Sequence, residues 1–297
     1  TNRACVILPP AKYDLDYGTE NACMPLILDT EFVDIIGLTT DRSLQHIYGT
    51  PPATNSGVIV QTADDVHISN LTVEILTAFS EPAYDGNDSA AYFPSTNLSN
   101  TVVDNVYFKG DDGANLVLWS MRFIVLEYSG TFTNCTGGYA SFGGGGIASG
   151  AFNNCTGGDY SFGAEGTASG IFTNCTGGDA SFGGGGIASG TFTNCTGGVG
   201  SFGDSMIASG IFTNCTGGEG SFGGDEGTAS GTFTNCTGGD ASFGGGGIAS
   251  GTFLFCKGGE DSFAEQILTA SVATITLVAG GTGYTVDDEL TVVGGTG

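Results

Sequence analysis

The chain has 297 residues and carries 31 Asp and Glu against six Lys and Arg, which gives a formal charge of −25. Recognition of a phosphate backbone needs clustered cations, so this charge argues against binding to nucleic acid. No apolar run approaches the roughly 20 residues that a membrane span requires, so we expect no insertion into a membrane.

The first 128 residues have the pattern of irregular β-structure. Residues 1–30 are predicted to cap one end of the fold, because an uncovered terminal strand invites pairing with other chains. Residues 31–128 are predicted to form longer coils, with apolar segments typical of strands at 31–38, 57–60, 65–73 and 101–108. Polar stretches between them, such as 81–99, predict loops that project from a rigid scaffold, where recognition residues usually lie.

Residues 129–264 contain seven copies of one unit, which reads S-G-T-F-T-N-C-T-G-G-x-A-S-F-G-G-G-G-I-A in its most regular form. Five of the six steps between copies are 20 residues long and one is 21. Gly and β-branched residues leave no apolar stripe of helical period, so the unit predicts β-structure. A unit of this length can form one coil of a solenoid whose successive coils stack at about 4.8 Å. Identical residues are therefore predicted to form columns.

Three kinds of column follow from the repeat. Phe is predicted to fill a narrow interior, and Cys to act as a small buried apolar residue. Phe and Cys are three positions apart, so a corner separates them, and Asn suits that corner because it tolerates left-handed φ and forms stacked amide ladders. The columns are represented by Phe132, Phe152, Phe172, Asn134, Asn154, Asn174, Cys135, Cys155, Cys175, Cys195, Cys215, Cys236 and Cys256.

Disulfide formation and metal binding are the less favoured interpretations of the Cys column. Stacked coils could bring neighbouring thiols within disulfide range, but burial as core already accounts for the residue. The two histidines, His46 and His67, lie outside the repeat, so the repeat has no His to complete a mixed metal site.

An acidic column is predicted on the outside of the repeats. The residue that follows each Gly-Gly pair is acidic in five of seven copies, namely Asp159, Asp179, Glu219, Asp240 and Glu260. Carboxylates stacked at strand spacing repel one another unless water and salt screen them or cations bridge them. Two interpretations stay open, a screened acidic face and a column that binds Ca²⁺, and no other cofactor is expected.

The end of the chain departs from the repeat. Residues 265–297 are predicted to form a small C-terminal β-module or a linker to a further domain. The stretch 275–297 ends in a Gly-Gly-Thr-Gly motif that also occurs 14 residues earlier, and it resembles short β-modules that recur in phage tail and fibre proteins.

A family resemblance is carried by two segments of the first half. Residues 33–38, V-D-I-I-G-L, and 63–73, A-D-D-V-H-I-S-N-L-T-V, resemble coils of the pectin-lyase-like superfamily, which often read V-x-I-x-N-L-T. The resemblance implies an all-β, right-handed parallel β-helix, a fold that polysaccharide lyases, phage tailspikes and surface adhesins share. It extends over about residues 30–265.

An enzymatic function is the weaker expectation. Catalysis on a polysaccharide needs converging carboxylates, or a carboxylate with a cation and a metal. The acidic pairs are Asp64 with Asp65 and Asp111 with Asp112, the second near Lys109 and Arg122. Adjacent strand residues point to opposite faces, and neither pair matches a catalytic motif of the family. We therefore expect no enzyme, with a lyase or glycoside hydrolase tailspike as the alternative.

Ice binding is a minor alternative, suggested by the two outward Thr of each T-F-T segment. The array is incomplete at Ala151, Asn153, Ile171, Ile211 and Leu254. The β-propensity of Thr explains the remaining Thr residues.

The monotony of the repeat favours a structural or adhesive fibre. Together with the resemblance, it indicates a phage virion appendage, a tail fibre or spike, that self-associates as a homotrimer or filament and binds host-surface polysaccharide. A bacterial extracellular filament or adhesin subunit is the alternative. The expected location is accordingly a virion, the extracellular space or a cell surface.

Overall fold

The computed structural model describes residues 3–16, 26–50, 57–76, 89–93, 100–109, 119–123, 130–139, 141–143, 146–224 and 226–263, with the backbone alone at 89–93 and 119–123. Over these ranges the chain forms 23 short strands and no helix. The strands pair in parallel wherever they are assigned partners. This confirms the predicted fold class, a parallel β-helix. The predicted module at 265–297 lies wholly outside the described residues. The predicted projecting loop at 81–99 lies mostly outside them, since only the backbone of 89–93 is described.

Three sheets run along the solenoid. The largest contains β1 (Ala4–Leu8), β4 (Val33–Gly37), β7 (His67–Ile75), β9 (Val102–Lys109), β11 (Thr131–Thr133), β13 (Ala151–Asn153), β15 (Ile171–Thr173), β17 (Thr191–Thr193), β19 (Ile211–Thr213), β21 (Thr232–Thr234) and β23 (Thr252–Leu254), with β2 (Ala11–Asp14) and β5 (Gln45–Gly49) beside them. The second contains β3 (Leu26–Leu28), β6 (Gly57–Gln61), β8 (Ser89–Phe93) and β10 (Trp119–Phe123). The third contains β12 (Ile147–Ala148), β14 (Thr167–Ala168), β16 (Ile187–Ala188), β18 (Ile207–Ala208), β20 (Thr228–Ala229) and β22 (Ile248–Ala249).

The long coils and the short repeats belong to one continuous stack. Strand β9 pairs with β7 on one side and with β11, the first strand of the repeats, on the other. Residues 1–30, expected as a cap, supply β1, β2 and β3 to the sheets. The extra residue of the single 21-residue step is absorbed before β20, since Thr228 pairs with Ile207 and Phe233 pairs with Phe212.

Two columns of Phe fill the interior of the repeats. Within each column, successive rings are parallel to within 7°, and their centroids are 4.7–4.9 Å apart. Between the columns, the rings meet edge to face at 5.4–6.0 Å. These are the two arrangements that the aromatic quadrupole favours. The columns comprise Phe132, Phe152, Phe172, Phe192, Phe212, Phe233 and Phe253, and Phe142, Phe162, Phe182, Phe202, Phe222, Phe243 and Phe263.

The second Phe column has an unusual backbone. Each of its residues has a positive φ, from 53° at Phe142 to 64° at Phe263, which is disfavoured for a bulky side chain. The preceding Ser forms a further buried column, in which Ser181 and Ser201 donate hydrogen bonds of 3.3 Å to Gly158 and Gly178 carbonyls of the preceding coil. Burial of the aromatic ring, together with the hydrogen bonds that the Ser hydroxyls make from Ser161 onward, offsets the strain of this corner.

The Asn residues form the corner between the Phe and Cys positions. Their φ angles are 53–54° from Asn134 to Asn235. From Asn154 onward each amide donates to the preceding Asn, for example Asn194 to Asn174 at 3.0 Å, whereas the Asn134 amide donates to Asp104 at 3.4 Å. The corner extends into the long coils, where Asn70 and Asn105 have φ of 57° and 53° and the Asn105 side-chain amide donates a hydrogen bond of 2.9 Å to Oδ1 of Asn70. An Asn in this corner thus occurs in both sections, with one ladder in the repeats and one Asn pair in the long coils.

Close approach between coils explains a large share of the glycines. A Cβ on Gly190 would lie 2.3 Å from the carbonyl oxygen of Gly170 in the preceding coil. The same position is Gly in each described repeat, with equivalent distances of 2.1–2.4 Å. A left-handed φ is needed elsewhere in the coil, as at Gly183 with φ of 75°.

We predict that Gly190→Ala destabilises the fold by about 1–3 kcal/mol, the usual range for overpacking, because the methyl group would displace backbone of the preceding coil. The matched control is Gly185→Ala, whose Cβ would be 3.9 Å from its nearest neighbour and whose φ is not positive. Denaturant unfolding followed by circular dichroism measures both. Equal stability of the two variants would contradict the steric role of Gly190.

Candidate functional site

Two polar columns lie side by side on the outer face of β2, β5, β7 and β9. Strand register aligns Lys12 with His46 and Thr72, and it aligns Asp14 with Tyr48, Glu74 and Lys109. The intervening residues point inward and are buried, for example Ile47, Val73 and Phe108, so strand alternation turns the polar residues outward. We call the residues Lys12, Asp14, His46, Tyr48, Glu74 and Lys109 the polar patch.

Glu74 is the centre of the polar patch. Its Oε2 atom lies 2.7 Å from Nε2 of His46, and its Oε1 atom accepts from the ammonium group of Lys109. The His46 ring lies 5.4 Å from the ring of Tyr48. The side chains of His46 and Glu74 are only 16% and 17% exposed, whereas that of Lys109 is 45% exposed. The patch thus combines a shielded carboxylate and imidazole with an accessible cation.

The environment of His46 favours its neutral form. Burial lowers the pKa of the imidazole, while the Glu74 carboxylate raises it and Lys12 lowers it again. The pKa of Tyr48 is raised by desolvation and by the neighbouring Asp14 carboxylate. A neutral imidazole and a protonated phenol can both donate and accept hydrogen bonds, which suits recognition of hydroxyl groups.

The loop between β4 and β5 borders the polar patch. Arg42 donates to the Val106 carbonyl at 3.2 Å and to the Asn134 carbonyl at 3.0 Å, and its guanidinium lies 5.6 Å from the Tyr107 ring. The carbonyl of Arg42 accepts from Thr72 Oγ1 at 3.0 Å. The loop therefore lies along the Asn corner, fastens the long coils to the first repeat and covers Thr72.

Of the acidic pairs named from sequence, Asp64 and Asp65 do not belong to this patch. Asp64 and Asp65 lie in the turn before β7, where the Asp65 carbonyl accepts from Arg3 at 2.9 Å. Asp111, Asp112 and the side chain of Arg122 lie outside the described residues. Lys109, expected beside the second pair, contacts Glu74. Sequence reasoning missed Glu74 and His46, although their outward positions in alternating segments were a usable signal.

The acidic column lies on the exposed surface of the repeats. Asp159 accepts a hydrogen bond of 2.9 Å from the backbone N–H of Asp179, and Asp179 accepts one of 2.8 Å from Val199. Asp240 accepts an equivalent bond of 2.9 Å from the N–H of Glu260. Backbone donors of the next coil thus partly stabilise these carboxylates, and Ca²⁺ binding at Asp159, Asp179, Glu219, Asp240 and Glu260 stays a prediction.

The described residues contain neither a metal-binding cluster nor a helix that could span a membrane. No group of three or more His, Cys, Asp or Glu side chains is close enough to hold one metal ion within the described ranges. In the same part of the chain, no helix is long and apolar enough to cross a membrane.

The chain matches no protein-family model, no curated protein and no solved structure. The parallel β-helix is therefore established by the strands and their register. The pectin-lyase-like superfamily stays a resemblance of segments 33–38 and 63–73.

We predict that Glu74→Gln lowers the pKa of His46 further, because it removes the negative charge that raises this pKa. The imidazole signals can be followed by NMR titration, since the chain has only two histidines. The control is Glu31→Gln, which removes a carboxylate outside the polar patch. An unchanged or raised pKa in the Glu74 variant would contradict the assigned contact.

The same variant should alter how stability depends on pH. Because the folded pKa of His46 is lowered, its contribution is complete above the unfolded pKa of about 6.5 and is lost as the pH falls from that value through the folded pKa. Because Glu74→Gln lowers the folded pKa of His46, the pH range over which this stability is lost extends further toward low pH.

Proposed function

We propose that this chain is a structural and adhesive fibre in which the repeats form a rigid stalk and the long coils bind a surface glycan. The observation that carries the proposal is the continuous strand pairing from β7 to β23, with an Asn ladder and two Phe columns along the repeats. Repeats that contact only their neighbours build length, and stacked cores resist bending.

The polar patch supports the adhesive part of the proposal. Sugars are bound by aromatic rings together with groups that donate and accept hydrogen bonds, and Tyr48, His46 and Glu74 supply both on a sheet face. A rigid sheet holds such residues in fixed positions. The patch belongs to the irregular coils, whereas the repeats present one composition over their whole length.

The assembly that we propose is a phage virion appendage, a tail fibre or spike, formed by a homotrimer or a filament of this chain. The elongated, acidic stack agrees with such a role, because like charge keeps a rod soluble. A bacterial extracellular filament or adhesin uses the same physical properties and is the alternative within this class.

A polysaccharide-cleaving tailspike is the second candidate, and the contact of Glu74 with His46 and Lys109 is the observation that favours it. A carboxylate, an imidazole and an ammonium group are the usual carriers of protons in catalysis. Ice binding receives less support, because Ile171 and Ile211 are 58% and 53% exposed within the Thr face.

Binding to a panel of bacterial surface polysaccharides, with analysis of the products, tests the proposal. The wild-type chain is expected to bind at least one polysaccharide without cleaving it. Tyr48→Ala is expected to weaken that binding at least tenfold, which corresponds to about 1.4 kcal/mol. Thr193→Ala on the stalk is the matched control and should bind like the wild type. Cleavage of a polysaccharide would favour the enzymatic candidate over the adhesin. Absence of binding would overturn the adhesive function.

A further inference from the structure

Two tyrosines, Tyr139 and Tyr160, form an aromatic pair on the surface of the first two repeats, and we call them the Tyr pair. Their ring centroids lie 5.3 Å apart, and the ring planes are inclined by 43°. Tyr160 is 39% exposed and Tyr139 is half-buried. The interior of the same coils is already filled by Phe142 and Phe162. Packing of the core therefore does not explain the two tyrosines.

The Tyr pair departs from the otherwise uniform composition of the repeats. In the other repeats, Asp, Glu or Val occupies the position of Tyr139, and Ala, Gly or Asp occupies the position of Tyr160. The second repeat contains a further departure, since Glu165 stands where Gly185 and Gly246 stand in later repeats. These departures lie in the two repeats that adjoin the long coils.

The backbone at Tyr160 is unfavourable for a large side chain. Its φ is 56°, and the equivalent residues Ala180 and Gly200 have φ of 51° and 64°. The turn is the same in each copy, because the N–H of Tyr160 donates to the Asp179 carbonyl at 2.8 Å and that of Ala180 donates to the Val199 carbonyl at 2.7 Å. Strain of this kind is typical of binding sites. A small residue satisfies the turn in other repeats, so the strain at Tyr160 points to a role in binding.

The Tyr pair continues the line of the polar patch. The patch ends at Lys109 of β9, which is in register with Glu74. Tyr107 in the same strand pairs with Thr136 of the next coil, so the segment that leads to Tyr139 runs beside the end of β9. Successive coils are 4.7–4.9 Å apart, as the stacked Phe rings show, and this rise is close to the length of one sugar unit. An extended polysaccharide that lies along the stack therefore reaches from the polar patch to the Tyr pair.

The groups around the Tyr pair select the kind of sugar. Burial raises the pKa of Tyr139, as do the neighbouring Tyr160 phenol and the Glu165 and Asp159 carboxylates. The Asp159 carboxylate is held by a hydrogen bond of 2.9 Å from the N–H of Asp179. Aromatic faces attract the C–H groups of a pyranose ring, and carboxylates accept hydrogen bonds from its hydroxyls. The same carboxylates repel a sugar that carries an acidic group.

We propose that Tyr139 and Tyr160 bind neutral hexopyranose units of the polysaccharide that also occupies the polar patch. The glycan site thus extends onto the first two repeats, and the bound polysaccharide lies along the axis of the stack. This inference rests on the proposed adhesive function and adds the class of sugar and the direction of the bound chain. The later repeats, which lack the Tyr pair, serve as the stalk alone.

NMR titration of the full chain with oligosaccharides of known composition tests the proposal. The neutral probes are cellohexaose, mannohexaose and β-1,4-galactohexaose, and hexagalacturonate is the acidic probe. Tyrosine is isotopically labelled, and the Tyr139→Val and Tyr160→Ala variants assign the two ring signals. We expect at least one neutral probe to shift both signals and hexagalacturonate to shift neither. No shift with any neutral probe, or a shift with hexagalacturonate alone, would overturn the proposal.

The same two variants measure how much the Tyr pair contributes to affinity. Each introduces a residue that another repeat has at the equivalent position, as Val199 and Ala180 show, so both are expected to fold. Calorimetric titration should show binding weakened about tenfold in each. Tyr160→Phe keeps the ring and should bind like the wild type, as should Val199→Ala on the stalk. Wild-type affinity in both Tyr variants would refute the site.

Stability gives a second readout that separates binding from folding. Ala has a small side chain at the left-handed position, so Tyr160→Ala is expected to leave the midpoint of urea unfolding unchanged or to raise it. A variant that binds less but is no less stable has lost a binding residue. A lower midpoint in Tyr160→Ala would assign the ring to stability and contradict the proposal.

Comparison with Tyr48→Ala distinguishes this inference from the proposed function. Binding that is weakened by Tyr48→Ala but not by Tyr139→Val or Tyr160→Ala would refute the extended site and leave the adhesive function in place. Binding that is weakened by all three variants supports both. Absence of binding to every oligosaccharide and every polysaccharide would refute both.

Discussion

The fixed rise between coils is the constraint on which the structure depends. Parallel strands pair only near 4.8 Å, and a 20-residue period brings each residue onto its own copy at that distance. Aromatic rings then stack, Asn amides form a ladder and thiols align. Side chains larger than hydrogen are excluded where coils touch through the backbone, as at Gly190. Each residue of the repeat is thus one that can lie against its own copy at this distance.

Histidine and most cationic residues lie in the part of the stack that lacks the 20-residue period. The first 128 residues hold the two histidines and five of the six cationic residues, and Lys257 is the exception in the repeats. Their strands place unlike residues above one another, as in the register of Tyr48, Glu74 and Lys109. The proposed division of labour follows from this contrast, with recognition in the long coils and length in the repeats. The Arg42 loop joins the two parts.

The fold class and the columns of identical residues could be predicted from the sequence, because both follow from the 20-residue period. It did not reveal the left-handed φ of Phe162 and its copies, since propensity assigns that conformation to Gly and Asn. The buried Ser column was missed because Ser is usually exposed. The contact of Glu74 with His46 and Lys109 depends on the register between unequal coils, and segments that lack a common period do not specify that register.

The most direct test of the account is the deletion of one whole coil. Removal of residues 171–190 joins Gly170 to Thr191 and leaves every column in phase, whereas removal of 171–180 alone breaks the phase. Urea unfolding followed by circular dichroism should show a cooperative β-structured protein for the 20-residue deletion, with a small loss of stability as one repeat and its interface are removed. The shorter deletion should be strongly destabilised. Equal tolerance of both deletions, or loss of structure in the longer one, would contradict the stacked-coil account.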